Sequence, residues 1–214
     1  MSIYRAEEGV EKDSLKRIKD RDTRRPPGNV SYVVDNLWEW VRSEEWPDYP
    51  NRRNSKFASP TPEQALRSAD LPEDSYEHVF EIEFVGCPVI AQLPEFVDAK
   101  HHPDCRKLRK LLIDKLDGEN HKFFWPSKKM EEKHPVGQLF QPCLTSEEVE
   151  HIFNTVDEFS SQDKNEIREK VTYWDDLELI DPDSLYNQEG EVLFQFKDPK
   201  DGDGFWRRPI EEAD

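Results

Sequence analysis

Two carboxylates, Glu189 and Glu191, flank Gly190 towards the end of this 214-residue chain. From Glu191 to Phe196 the residues alternate: Val192, Phe194 and Phe196 fall on one face of a strand, and Glu189, Glu191, Leu193 and Gln195 on the other. Like charges on one side of a strand mouth repel and raise one another's pKa, which is unfavourable in a bare strand. The competing reading is a solvated strand start beside a Glu189-Gly190 turn, since Glu-x-Glu arises by chance in so acidic a chain. Three other groups could do chemistry. Arg5 sits inside a short first strand, where the plain reading is a surface arginine paired with a nearby acid. Ser59 stands at a strand-to-helix corner, a place that exposes backbone N–H groups to an anion but is also ordinary loop chemistry. Arg106, Lys107, Arg109 and Lys110 crowd one helix, as a docking face for RNA or an acidic protein or simply as a solvated face.

These residues need elements to hold them. Ser2 to Ala6 reads as the first strand. Residues 7–25 are mostly charged, either a helix around Leu15 and Ile18 or an exposed arm, and Arg24-Arg25-Pro26-Pro27-Gly28-Asn29 is a rigid turn. Tyr32 to Glu45 is helical, with Val33, Leu37, Trp40 and Val41 on one stripe. A loop rich in Pro and Arg, residues 46–53, leads to a strand over Lys56 to Ser59. Thr61 as N-cap, Pro62 at the first position and Gln64 as capping-box partner then open a helix. Tyr76 to Val85 is the clearest strand, with His78 on its apolar face as a satisfied core histidine, and Cys87 to Leu93 is the next. Asp104 to Leu116 is an amphipathic helix with Leu108, Leu111, Leu112 and Leu116 inward. Residues 117–144 are irregular, with Phe123, Phe124 and Trp125 plugging a core edge. Thr145 and Glu148 box the start of a helix that buries Val149, Ile152, Phe153 and Val156. A helix over 162–173, a short strand from Leu177 to Ile180, the strand ending at Phe196 and a last strand over Phe205 to Pro209 complete the chain.

Composition narrows the function classes. The net charge of -17 is unevenly spread: residues 1–56 hold 12 Lys/Arg against 11 Asp/Glu, and residues 145–214 hold 7 against 21. The acidic last third is a poor nucleic-acid surface, so any RNA or DNA contact needs a local basic patch upstream. Cys87, Cys105 and Cys143 form no CxxC pair and fit a reducing compartment. No apolar signal core opens the chain, and no apolar run reaches the ~20 residues that span a bilayer. The expectation is a cytoplasmic protein with no membrane partner. His101, His102 and Cys105 lack the second ligand pair of a zinc site, and His134 and Cys143 stand apart, so no metal is expected. With 8 glycines and no phosphate loop, nucleotide hydrolysis is not expected either.

In order, the chain carries an arginine on its first strand, an aromatic helix, a strand ending in serine before a capped helix, and a late Glu-x-Glu opening a strand. Tyr4-Arg5-Ala6, Phe57-Ala58-Ser59-Pro60-Thr61 and Glu189-Gly190-Glu191-Val192-Leu193-Phe194 resemble the three elements of the Arg–Ser–Glu type of ADP-ribosyltransferase. The second element departs from the family pattern, with Ser-Pro-Thr in place of Ser-Thr-Ser. The resemblance implies a single α+β domain over residues 1–214, with split antiparallel β-sheets, several flanking helices and a helical insertion around 98–173. It implies NAD as substrate, without a metal. Glu191 would be the catalytic glutamate, Ser59 its orienting partner and Glu189 the group that positions the acceptor. Arg5 would bind the phosphates, with Thr61, Tyr32, Asn36 or Trp38 around the nicotinamide.

The activity so implied is mono-ADP-ribosyl transfer to a macromolecular acceptor, protein or nucleic acid. Many bacterial members of the family are toxins of defence or phage-conflict systems, which would add an antitoxin as partner. Two alternatives stay open: an NAD glycohydrolase that needs Glu191 but not Glu189, and a non-enzymatic module whose acidic C-terminal region recruits a basic protein.

Overall fold

The computed structural model describes residues 2–9, 11, 13–17, 28, 30–115, 135–155, 159–181 and 189–210. The expectations for Ile18, for the turn at 24–29 apart from Gly28, for Leu116, Phe123, Phe124, Trp125, His134 and Val156 lie outside those residues. Among the described residues the chain is mixed α+β, with two four-stranded antiparallel sheets and five α-helices. It divides into two compact units. One comprises residues 1–23, 49–99 and 176–214, the other residues 24–48 and 100–175. The latter includes the helix at Tyr32–Glu45.

The first unit holds all eight strands. One sheet has the order β1 (Ile3–Ala6), β4 (Val79–Val85), β8 (Gly204–Pro209) and β2 (Ser14–Arg17). The other has the order β3 (Lys56–Ala58), β7 (Glu191–Gln195), β5 (Val89–Leu93) and β6 (Glu178–Ile180). Alternation dictates the packing. Ile3, Phe80, Ile82 and Phe205 of the first sheet share a core with Ala58, Ile90, Val192, Phe194 and Phe196 of the second. On the opposite side of the first sheet, Ala6 and Val79 pack with Ala65 and Leu66 of helix α2 (Pro62–Ser68). The sheets are linked where β1 meets the end of β3. Tyr4 N–H donates to Ser59 O and Ser59 N–H to Tyr4 O, each at 2.7 Å.

Three sequence expectations change here. Leu15 lies in a strand, β2, because its segment finds backbone partners along β8. The strand expected from Tyr76 begins at Val79, and Tyr76–His78 is a 3-10 turn. His78 is therefore not a core histidine: it is half-exposed, 3.5 Å from the Glu77 carboxylate.

The helical unit contains α1 (Tyr32–Glu45), α3 (Asp104–Lys115), α4 (Ser146–Thr155) and α5 (Ser161–Lys170). The capping box of α4 forms as its sequence predicts: Thr145 N–H donates to Glu148 Oε2 at 2.7 Å, and Glu148 N–H to Thr145 Oγ1 at 3.1 Å. Asp104 is fully buried and accepts from Trp38 Nε1, Thr172 N–H, Thr172 Oγ1 and Tyr173 N–H, all at 2.9–3.0 Å. A buried carboxylate so fully bonded fixes this core instead of weakening it.

Candidate active site

Strand register brings the three candidate segments of the sheet unit together. β3 pairs with β7 so that Ala58 faces Val192, which sets Ser59 and Glu191 at adjoining positions of the same ladder. The Tyr4–Ser59 bridge then places β1, with Arg5, on the other side of Ser59. Position 5 on β1, position 59 immediately after β3 and position 191 at the start of β7 thus stand on neighbouring stretches of chain.

The Glu189-Gly190-Glu191 corner is fixed from several directions. Gly190 has φ +123, and a Cβ there would fall against the Leu93 carbonyl oxygen and within 2.8 Å of Pro94 Cα. Only glycine fits such a conformation and approach. The Gln64 side chain grips the Gly190 peptide on both sides: its Nε2 donates to Gly190 O at 2.5 Å, and its Oε1 accepts from Gly190 N–H at 3.1 Å. Gln92 Nε2 donates to Glu189 O at 3.0 Å. Both glutamines are fully buried. Gln64 was expected to complete a capping box with Thr61. Thr61 Oγ1 does accept from Gln64 N–H at 3.2 Å, so Thr61 caps α2, but the amide of Gln64 is committed to the corner instead.

Glu191 is buried, and its partner is Arg52, whose Nη1 donates to Oε2 at 2.9 Å. Burial raises the Glu191 pKa above its ordinary value. The Arg52 charge and hydrogen bond and the Ala99 N–H oppose that rise, and nearby Asp98 adds to it. Arg52 is held by a tight turn. Asn51 N–H donates to Gln195 Oε1 at 2.6 Å, Ser55 N–H and Oγ both donate to Asn51 O, and the guanidinium lies 5.0 Å from the centre of the Phe57 ring. Sequence reasoning missed Arg52, placing it in an undifferentiated loop.

The other candidates are disposed as follows. Glu189 is exposed. Ser59 is buried, with its Oγ 3.4 Å from Ser68 Oγ; its neighbour in the ladder, Glu191, bonds Arg52 in place of the expected serine. Arg5 donates through Nη1 to Phe57 O at 2.7 Å and through Nε to Glu7.

Tyr32, Asn36 and Trp38 all belong to α1, in the helical unit. Tyr32 is exposed. Asn36 is fully buried; its Nδ2 donates to Leu139 O and Gln141 O, and its Oδ1 accepts from Leu144 N–H. Trp38 is also fully buried, bonded to Asp104 and stacked on Tyr173 at 4.2 Å. Asn36 and Trp38 are thereby bonded within the helical core. Arg106, Lys107, Arg109 and Lys110 are exposed on α3, as expected. His102 is buried in the same unit and its Nδ1 accepts from Asp104 N–H at 3.2 Å.

Among the described residues no group of three or more His, Cys, Asp and Glu is placed to hold a metal, and no helix is long and apolar enough to cross a membrane. No protein-family model, no curated protein and no solved structure matches the chain.

Proposed function

We propose that the chain is an NAD-dependent mono-ADP-ribosyltransferase of the Arg–Ser–Glu type, with Glu191 as its catalytic carboxylate. One observation carries the reading. Arg5 on β1, Ser59 just past the end of β3 and Glu191 on β7, recognised in three remote segments, lie on neighbouring stretches of chain. A mixed α+β fold with two four-stranded antiparallel sheets supports the reading at the coarser level of fold class.

The chemistry is that of an oxocarbenium-like transition state. As the nicotinamide–ribose bond breaks, positive charge builds on the ribose, and a carboxylate held against it gains strength in the transition state over the ground state. Burial strengthens such an attraction but disfavours the ionised form the role requires, and Arg52 opposes that shift. The rigid corner built by Gly190, Gln64 and Gln92 aims Glu191 at little reorganisation cost and leaves Glu189 exposed, where it can meet an acceptor. The exposed cations of α3 favour an anionic acceptor such as RNA or DNA over a basic protein.

The test uses NAD labelled in its adenylate half, incubated with the chain and with total cellular RNA or protein. Label on the RNA, dependent on Glu191, is the expected result. Glu189→Gln should keep nicotinamide release but lose transfer. Equal release without any labelled macromolecule, in wild type and Glu189→Gln alike, would instead identify a glycohydrolase. A toxin with a cognate antitoxin is the setting such an activity implies, and growth arrest on expression, lost in Glu191→Gln, is its readout.

A further inference from the structure

We propose that Arg52 is the positioning residue of Glu191: it holds the carboxylate charged and in place, the duty that the resemblance assigns to Ser59, and with Asp98 it makes the corner a pH gate. That the gate acts on NAD cleavage rests on the function proposed above. That Arg52 and Asp98 govern the charge of Glu191 does not.

The ion pair is sealed and braced. The side chains of Arg52 and Glu191 are 6 % and 9 % exposed, and Nη1 meets Oε2 at 2.9 Å. The Ser59 hydroxyl, next along the ladder, lies instead 3.4 Å from Ser68 Oγ. The turn that carries Arg52 is tied to the strand that carries Glu191. Asn51 N–H donates to Gln195 Oε1 on β7 at 2.6 Å, and Asn51 Oδ1 accepts from Arg53 N–H at 2.9 Å. The guanidinium lies over the Phe57 ring of β3, 5.0 Å from its centre. On the β5 side, Glu191 N–H donates to Phe96 O at 2.8 Å. Cation and carboxylate are thus referred to one strand and keep their relative place.

Burial makes such a brace necessary. A carboxylate removed from water favours its protonated form, and a neutral Glu191 has no charge to set against a developing cation. Burial raises the Glu191 pKa. Arg52, from the turn before β3, acts against that rise, and Asp98, from the loop after β5, adds to it. Of the other neighbours, Glu189 is exposed, and Gln64, Leu93 and Phe96 carry no charge. The outcome is a pKa above the ordinary value of 4.5. As pH falls through it, Glu191 takes up a proton and the corner loses its charge. As pH rises through it, the charge returns.

The experiment follows two pH titrations on the full chain: the Glu191 side-chain carboxyl carbon by NMR, without ligand, and nicotinamide release from NAD. The Glu191 signal is identified by its absence in Glu191→Gln. In wild type, release should fall on the acid side as the carboxylate is protonated. Arg52→Gln should move both midpoints to higher pH and slow release about tenfold or more on the acid side, with the deficit narrowing as pH rises. Arg52→Lys, which keeps the charge without the planar fork, should recover most of the acid-side rate but not the full plateau. Asp98→Asn should move both midpoints to lower pH. It removes neither partner of the ion pair, so it decides the matter even if Arg52→Gln fails to fold. A merely structural arginine predicts a lower plateau with unmoved midpoints, and that result, or an Asp98→Asn carboxyl midpoint that stays in place, overturns the gate. Nicotinamide release with an acid limb indifferent to both substitutions overturns the gate and leaves the proposed function standing. Carboxyl midpoints that move as stated, with no release by wild type, leave the gate on Glu191 standing and overturn the function.

Discussion

At the mouth of β7, Glu191 is buried and meets one guanidinium, that of Arg52; at the end of β1, Glu7 is half-buried and feels Arg5, Arg207 and Lys16 together. The chemical groups are the same, yet the carboxylates move in opposite directions. At Glu191, burial outweighs its single cation and the pKa rises. At Glu7, burial acts the same way but the three cations overcome it and the pKa falls. Cation count against depth of burial decides the sign. Depth outweighs a neighbouring guanidinium in one place and is outweighed by several cations in the other.

The comparison can be broken at either end. Arg52→Met should have the largest effect, about 3–5 kcal/mol by urea unfolding at neutral pH, since it strands Glu191 as an uncompensated buried charge. Replacing both residues by apolar ones should recover most of that loss, because the pair's desolvation cost goes with it. A double variant as unstable as Arg52→Met would show that the turn around Asn51, and not the charge, is what Arg52 supports.

Gly190→Ala comes next. It imposes a positive φ on a residue with a side chain and drives a Cβ into the Leu93–Pro94 backbone, at a cost of about 1–3 kcal/mol or more. If the corner positions Glu191, NAD turnover should fall by more than the folded fraction does.

Glu7→Gln should cost least, below about 1 kcal/mol at neutral pH, because the carboxylate is partly solvated. The pH dependence separates the two sites. Glu7, with its pKa depressed in the folded state, contributes stability that is present above the ordinary value of 4.5 and lost as pH falls through the folded pKa. The gap between wild type and Glu7→Gln should therefore persist down to that region and close only in stronger acid. Glu191, with its pKa raised, behaves oppositely: its contribution is present below 4.5 and lost as pH rises through the folded pKa. Removing Arg52 raises that pKa further, so the Arg52→Met deficit should already shrink as pH is lowered towards 4.5, where the variant's Glu191 becomes neutral. Urea midpoints across the acid range check both windows.

What the sequence disclosed follows from how far each signal reaches. Local patterns were legible: the stripe of α1, the Thr61-Pro62 start of α2, the Thr145–Glu148 box and the alternation that opens β7 all appear in the structure. Leu15 and His78 misled because their surroundings are set by distant partners. β8 recruits Leu15 into a sheet, and a 3-10 turn moves His78 off the strand. For Asn36 and Trp38, helix periodicity gives a buried stripe without saying what is bonded inside it. The site itself was half visible. Glu191, Ser59 and Arg5 carry recognisable neighbours, whereas Arg52, Gln64 and Gln92 act across 139, 126 and 97 residues, and no local pattern announces that. Arg207 was hidden for the same reason: only the register across β4 sets it beside Arg5.

The most direct measurement is nicotinamide release from NAD by wild type and by Glu191→Gln, with circular dichroism confirming that both are folded. The account predicts release by wild type and none above background from Glu191→Gln. Equal release by the two folded proteins would contradict the assignment of Glu191, and no release by wild type, with RNA and protein acceptors supplied, would contradict the enzyme.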